Sequence, residues 1–318
     1  MGLFAHLFHL SADSGPEDPA LEQALERTAL RVEPSLRHTR HWPGRYRAAI
    51  DRALAQTRRV AQGVPGPVTL DREHWVKDPF VHTLFASAEE MQRAVSASPT
   101  VHDFVAVHGG DQVHALLSLR REEKHSFGME STGDVLRRDV AQRTVWFTDP
   151  HFIGPAASEA EARDNLLWAL FDRFLERLAV GIERLHAERK RLAQDKDLAQ
   201  ARLRGAPSAR RPALEQALVV LLNRLGEIGE ILDPERLYEV FDTILSHPED
   251  CLYLEPRPFP LDALGVVHAE RDGPDVNMLR FVDLVERYQS PRTLVLVRCR
   301  NVTPSTLADR LGEAGRWL

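Results

Sequence analysis

Glu122-Glu123-Lys124 follows an apolar run that begins at Val113, and Asp111 stands eleven residues before Glu122. A D…ExK arrangement of this kind can hold Mg²⁺ between two carboxylates while the lysine orients a water, as in metal-dependent nucleases. Asp111, Glu122 and Lys124 are therefore the candidate catalytic residues of an enzyme reading. The same triplet reads equally well as the charged end of a hairpin strand. The 14 histidines give no second site. His38 and His41 are three apart, but Trp42-Pro43 breaks the helix that would bring them together. His102, His108 and His114 are scattered over a helix-to-strand transition. No HExxH occurs, and no acidic residue completes a zinc spacing. Cys251 and Cys299 are too few for a disulfide framework, too far apart for CxxC, and neither has an adjacent base. GxSxG and GxxxxGK[ST] are also missing. Neither a metal centre nor a cofactor is expected from these patterns.

Charge offers a second kind of chemistry. Net charge is −6, which argues against a general nucleic-acid binder, yet Glu183–Arg211 holds nine Lys or Arg against four Asp or Glu. These cations suit an anionic partner such as RNA, lipid or an acidic protein face. They lack the interleaved aromatics of single-strand binders and any known reader motif. A solvated helix surface explains them as well. Only four of the 41 basic residues are lysine, a bias that suits a GC-rich bacterial genome and strips single arginines of meaning.

The element that carries these charges is the most sharply patterned part of the chain. Ile182, Leu185, Arg189, Leu192, Lys196, Ala199 and Leu203 recur in steps of three and four, as do Leu214, Leu218, Leu221, Leu225, Ile228 and Leu232. Folding back at Gly205–Arg211 pairs Leu203/Leu214, Ala199/Leu218, Lys196/Leu221, Leu192/Leu225, Arg189/Ile228 and Leu185/Leu232. One antiparallel register serves all six layers, the pattern of a coiled-coil hairpin. Arg189 and Lys196 are polar seam positions and the candidate binding residues. The Arg189 stem is expected in the seam with its guanidinium on Glu227.

The remaining elements frame that hairpin. Short helices are expected around Leu21–Val32 and Tyr46–Val60, the second stopped by Gly63-Val64-Pro65-Gly66-Pro67. More short helices fall between Asp71 and Val107, with Pro79 and Pro99 in first turns. Val113–Arg121 and Val135–Ile153 read as strands joined by Ser131-Thr132-Gly133-Asp134. Ser158 and Glu161 form a capping box that opens a helix running to about Arg204. Asp233-Pro234 marks a recap before Leu237–Ile244. Leu264–Ala269, Asn277–Glu286 and Thr293–Arg298 suggest three strands, with turns at Arg271-Asp272-Gly273-Pro274 and Gln289-Ser290-Pro291. Thr303-Pro304 caps a final helix.

The 318 residues are 43% hydrophobic and 28% charged, which are globular values. No window reaches the length of a membrane span. Leu3, Phe4, Leu7, Phe8 and Leu10 form a short amphipathic segment suited to a membrane surface, a partner or the body, and Met1–Leu10 lacks a basic leader. The reading is α+β and mainly α: a helical body with a small antiparallel sheet and a projecting antiparallel coiled-coil hairpin. Residues 1–157 form helices followed by strands. Residues 158–245 form the hairpin, with its arm at about 182–232, and 246–318 add strands and a helix to the same body. The expected function is a non-catalytic cytosolic interaction or scaffold protein that binds a protein partner, or a second copy, through the hairpin. The alternative is the metal-dependent enzyme.

Overall fold

The computed structural model describes residues 18–132, 135–268, 276–286 and 290–302, with only the backbone described among 128–138. The apolar Met1–Leu10 segment, the Arg271–Pro274 turn and the final helix lie outside the described residues. In chain order the elements are α1 (Pro19–Arg31), α2 (Gly44–Gly63), β1 (Val68–Leu70), α3 (Arg72–Lys77), α4 (Pro79–Leu84), α5 (Ala88–Ala97) and α6 (Pro99–His108). They continue with β2 (Gln112–Thr132), β3 (Val135–Ala156), α7 (Glu159–Arg204), α8 (Arg211–Ile231) and α9 (Leu237–Ile244). After these come β4 (Leu252–Leu261), β5 (Val266–Val267), β6 (Asn277–Glu286) and β7 (Arg292–Arg300). The fold is α+β with more residues in helices than in strands. Two compact units form, Met1–Ala55 with Phe171–Ser246 and Gln56–Leu170 with His247–Leu318.

Local chemistry sets the helix starts. Asp18, Asp71, Asp78, Ser87 and Ser98 each accept a backbone N–H from the first turn, and Pro19, Pro79 and Pro99 occupy positions where no N–H is needed. At the start of α7 the Ser158 hydroxyl accepts from the Glu161 N–H at 3.2 Å, while the Glu161 carboxylate accepts from the Ala157 N–H at 3.0 Å.

The sheet is larger than the sequence implied, and it is mixed. Among the described residues seven strands take part, and β1 runs parallel to β7. The other pairings are antiparallel and close into a ring: β2–β3, β3–β5, β5–β4, β4–β6, β6–β7 and β7–β2. β4 escaped the sequence reading because Pro256, Pro258 and Pro260 interrupt it. Their spacing of two puts every missing N–H on one edge of the strand. That edge faces away from β6, because the Pro260 carbonyl accepts from the His268 N–H on the β5 side. Within the described part of the expected Leu264–Ala269 strand, residues 264–268, only β5 forms, since Asp262–Gly265 makes a turn.

One face of the sheet packs under α4–α6. Val113, Ala115, Leu117 and Leu119 of β2 join Val295, Val297 and Cys299 of β7 beneath Val81, Leu84, Met91, Val95 and Val101. Phe281 stacks on Phe80 at 4.9 Å and tilts against Phe147 at 4.8 Å. The opposite face meets the end of α2 and the loop after it. The Leu296 N–H donates to the Pro65 carbonyl, and the Leu296 carbonyl would lie 2.2 Å from a Cβ on Gly66. With φ at +112°, Gly66 is tied to glycine on both counts.

In the other unit, Tyr46 is buried edge-on against Phe241 at 5.2 Å, and its hydroxyl donates to the Pro234 carbonyl at 3.3 Å. Burial pushes the Tyr46 phenol up to about 12. Asp172 of α7 accepts from Arg27 and pairs with Arg31, both on α1.

Because Phe281 meets three other rings and has no solvent exposure, Phe281→Ala should lower unfolding free energy by about 3–5 kcal/mol in urea titration. A loss under about 1 kcal/mol would show that this face relaxes freely.

Candidate functional site

The residues of the enzyme reading do not meet. Asp111 is exposed at the mouth of β2, and Glu122 and Lys124 lie on the same strand, opposite Trp146 and Thr144 of β3. Eleven extended residues span roughly 35 Å, so Asp111 cannot share a metal ion with Glu122. Among the described residues no group of three or more His, Cys, Asp or Glu is placed to hold a metal. Cys299 is fully buried, and burial alone pushes its thiol up to about 12, so it is not a nucleophile at neutral pH.

The charged cluster that does form was not anticipated. It uses Arg121, the neighbour of the proposed carboxylate. The Arg121 guanidinium donates to Asp283 at 2.6 Å and lies 3.2 Å from Glu123. Asp283, 2% exposed, also accepts from the Thr293 hydroxyl at 2.6 Å. Arg143 approaches Glu123 at 3.4 Å, and Arg121 and Arg143 both lie over the Phe259 ring. Three strands separated in sequence supply these charges, so no local motif could reveal them. Each carboxylate here already has a cation, which suits a structural plug rather than acid–base chemistry.

A polar cavity of about 310 Å³ opens where parallel β1 and β7 end, lined by Asp71, Gln92, Ser96, Arg300 and Asn301 among others. Asp71 accepts from the His74 backbone N–H at 2.8 Å and lies 2.7 Å from the His74 ring nitrogen. Burial by itself raises the Asp71 carboxyl, but the His74 contacts and the nearby Arg300 outweigh it and hold the group below its ordinary value. Such a carboxylate stabilises the fold above its unfolded pKa and loses that contribution as pH falls through the depressed folded value. Asp71→Asn keeps a capping oxygen but no charge. It should unfold at lower urea than the parent at neutral pH, with the gap closing below the ordinary value of 3.8. A gap that persists at acid pH would show that the charge is not what matters.

The remaining candidate is α7 with α8. Along both helices the protected positions follow the expected stripe. Ile182, Leu192, Ile228 and Leu232 are buried, and Leu185, Lys196, Ala199, Leu203, Leu214, Leu218, Leu221 and Leu225 are half-buried. Arg189 departs from expectation: it is exposed, and Glu227 is held by Arg224 at 3.0 Å on its own helix. A guanidinium stays in water where it can, and an i,i+3 partner costs little ordering. Arg224 also reaches Glu188 of α7 at 2.9 Å. Lys196 is half-buried and pairs with Asp197 at 3.2 Å. Outside the stripe Leu198, Val219, Val220 and Leu222 are 56, 53, 63 and 46% exposed. No described helix is long and apolar enough to cross a membrane.

Compared with known protein families, curated proteins and solved structures, the chain matches none.

Leu192 is the most protected position on α7 beyond Ile182. Leu192→Asp would bury a carboxylate without a partner. Circular dichroism should show partial loss of helix while the transition of the strand-bearing unit persists. Unchanged ellipticity would mean that Leu192 faces no partner in solution.

Proposed function

We propose that the chain is a non-catalytic cytosolic interaction protein, in which α7 and α8 form an antiparallel coiled-coil hairpin that binds a macromolecular partner. One observation carries the binding half of this reading: α8 has more apolar surface than a single neighbouring helix covers. After the stripe from Leu214 to Leu232 is withdrawn from solvent, Val219, Val220 and Leu222 remain out on the same helix. We take these three large apolar side chains, exposed on an otherwise charged helix, as the contact site.

The hairpin register draws support from Arg224 and Glu188. In the proposed pairing Arg189/Ile228 and Leu192/Leu225 are successive layers. Glu188 immediately precedes the first on α7, and Arg224 immediately precedes Leu225 on α8. Both then fall on one flank of the seam, where interhelical ion pairs of coiled coils form. The exposed pair contributes little stability, so its value lies in choosing the register. Two cysteines without a disulfide suit a reducing compartment.

The test is a triple variant, Val219→Asp with Val220→Asp and Leu222→Asp. All three positions are exposed, so helical content should match the parent. Capture on the immobilised chain from a cell extract should lose the partner recovered by the parent. Equal recovery by both proteins would remove this surface from the reading.

A further inference from the structure

Four cations crowd the turn that joins α7 to α8. Arg202 and Arg204 close α7, Arg210 and Arg211 stand at the start of α8, and the sequence from Leu198 to Leu214 holds no Asp or Glu. All four are exposed, and among the described residues no carboxylate pairs with any of them. The Arg211 guanidinium donates only to the Ala206 carbonyl, at 3.4 Å. Arginines such as Arg163, Arg224 and Arg292, by contrast, each hold a carboxylate.

Helix electrostatics accounts for half of the group. Arg202 and Arg204 suit the negative end of the α7 dipole. Arg210 and Arg211 sit at the positive end of α8, which has no side-chain cap and no acidic residue in its first turn. Cations there oppose the dipole, so the helix itself gains nothing from them. The space beside them is open. A hollow of about 670 Å³ lies against the turn, walled by Ala201, Ala206, Ala213 and Leu214, with Arg202 and Arg210 on its lining. Along α8, Arg211, Glu215, Val219 and Leu222 follow in steps of four, four and three, which places them on one face. The cations therefore lead into the exposed apolar group, about 14 Å further along the helix.

We infer that the partner of this segment is an acidic amphipathic helix of another protein. Its carboxylates gather at one end and meet Arg204, Arg210 and Arg211, while its apolar stripe covers Val219 and Leu222. This rests on the reading of the α7–α8 segment as the binding element. Glu215 lies between the two contacts, so the partner's carboxylates are confined to the end at the turn. Guanidinium groups suit them, because paired N–H donors match the two carboxylate oxygens. A nucleic acid would answer the cations alone. No aromatic residue occurs between Leu198 and Leu222 to stack a base, and phosphates would leave Val219 and Leu222 in water. A lipid surface meeting the turn end-on would leave them in water too, and the net charge of −6 works against both polyanions. A second copy does not fit either, because Glu227, Glu230 and Glu239 are already held by Arg224 and Arg236.

The experiment is fluorescence anisotropy of a labelled synthetic helix with Glu in its opening turns and a Leu stripe along the rest, titrated with the full chain at low salt. The parent should bind this peptide at least about tenfold more tightly than the same peptide with Gln for Glu. Arg210→Glu with Arg211→Glu should remove that preference. The reversal puts acidic residues at the start of α8, where they favour the helix, so lost binding is not lost folding, and circular dichroism confirms it. Val219→Asp with Leu222→Asp should weaken binding of both peptides. Failure of the Glu peptide to bind overturns the inference, as does equal affinity for the two peptides or indifference to the arginine reversal. Tighter binding of a duplex RNA or of phosphatidylglycerol vesicles under the same conditions overturns it as well. Capture with the Val219, Val220 and Leu222 variant detects a partner of any chemistry, so it judges the binding reading independently of the acidic peptide.

Discussion

Burial of β2 on both faces is the constraint from which the strand-bearing unit follows. Every residue from Val113 to Leu119 is buried, including His114 and Ser118. A strand with no solvent face needs a partner on each edge and a layer on each side. The edges are taken by β3 and β7, and the pairings continue round until β7 has closed the ring, so the central strand leaves no open ladder. One side is filled by α4–α6. Beyond Leu119 the same inward-facing alternation brings Arg121 and Glu123, and here the interior changes from side-chain packing to ion pairing. Asp283 and Thr293 lie where they do because β7 sits beside β2 and β6 pairs in turn with β7.

That dependence explains what the amino-acid sequence could and could not reveal. Features written within a few residues were legible: the Ser158–Glu161 capping box, the first-turn prolines, the Gly63–Pro67 breaker, the bounds of β6 and the protected stripe of α7 and α8. Features that need distant partners were not. Three alternating prolines read as a loop until the neighbouring strands show that only one edge loses its donors. β1 is three residues long and has no period to detect. Arg121 and Asp283 are 162 positions apart, so their contact has no sequence spacing. Arg189 went wrong for a different reason. The heptad names its layer, but it does not encode that Glu227 is held by Arg224 on its own helix while Arg189 stays exposed.

Three acidic groups of the strand-bearing unit are occupied as ties. Asp149 adopts a left-handed backbone at φ 55°, beside an irregularity in the β2–β3 register. The bond from Arg292 holds its carboxyl below the ordinary value, and the same guanidinium fastens Ser118. Asp262 accepts from the Leu264 and Val266 N–H groups and contacts His268, fixing the turn before β5. Asp71 opens α3. A catalytic acid or base needs a free coordination site facing substrate, whereas these carboxylates spend their acceptor capacity on backbone and arginine.

The α7–α8 segment obeys a different balance. Its stripe buries few large side chains, because Arg189 turns outward and Lys196 and Ala199 fill two layers with little apolar area. At about 1.5–3 kcal/mol for each fully buried aliphatic residue, the four buried positions must offset the ordering of two long helices. In the proposed pairing, a seam this thin would leave the segment only marginally stable by itself. If the helices pair as proposed, additional burial on the outside of α8 would strengthen that pairing as well as bind a partner, since ordering and association would draw on the same apolar surface. Leaving Val219, Val220 and Leu222 in water would be a poor arrangement for an isolated hairpin. It is a sensible one for a hairpin completed by association, and in that case the polar seam positions keep the unbound segment from being stabilised too far to respond.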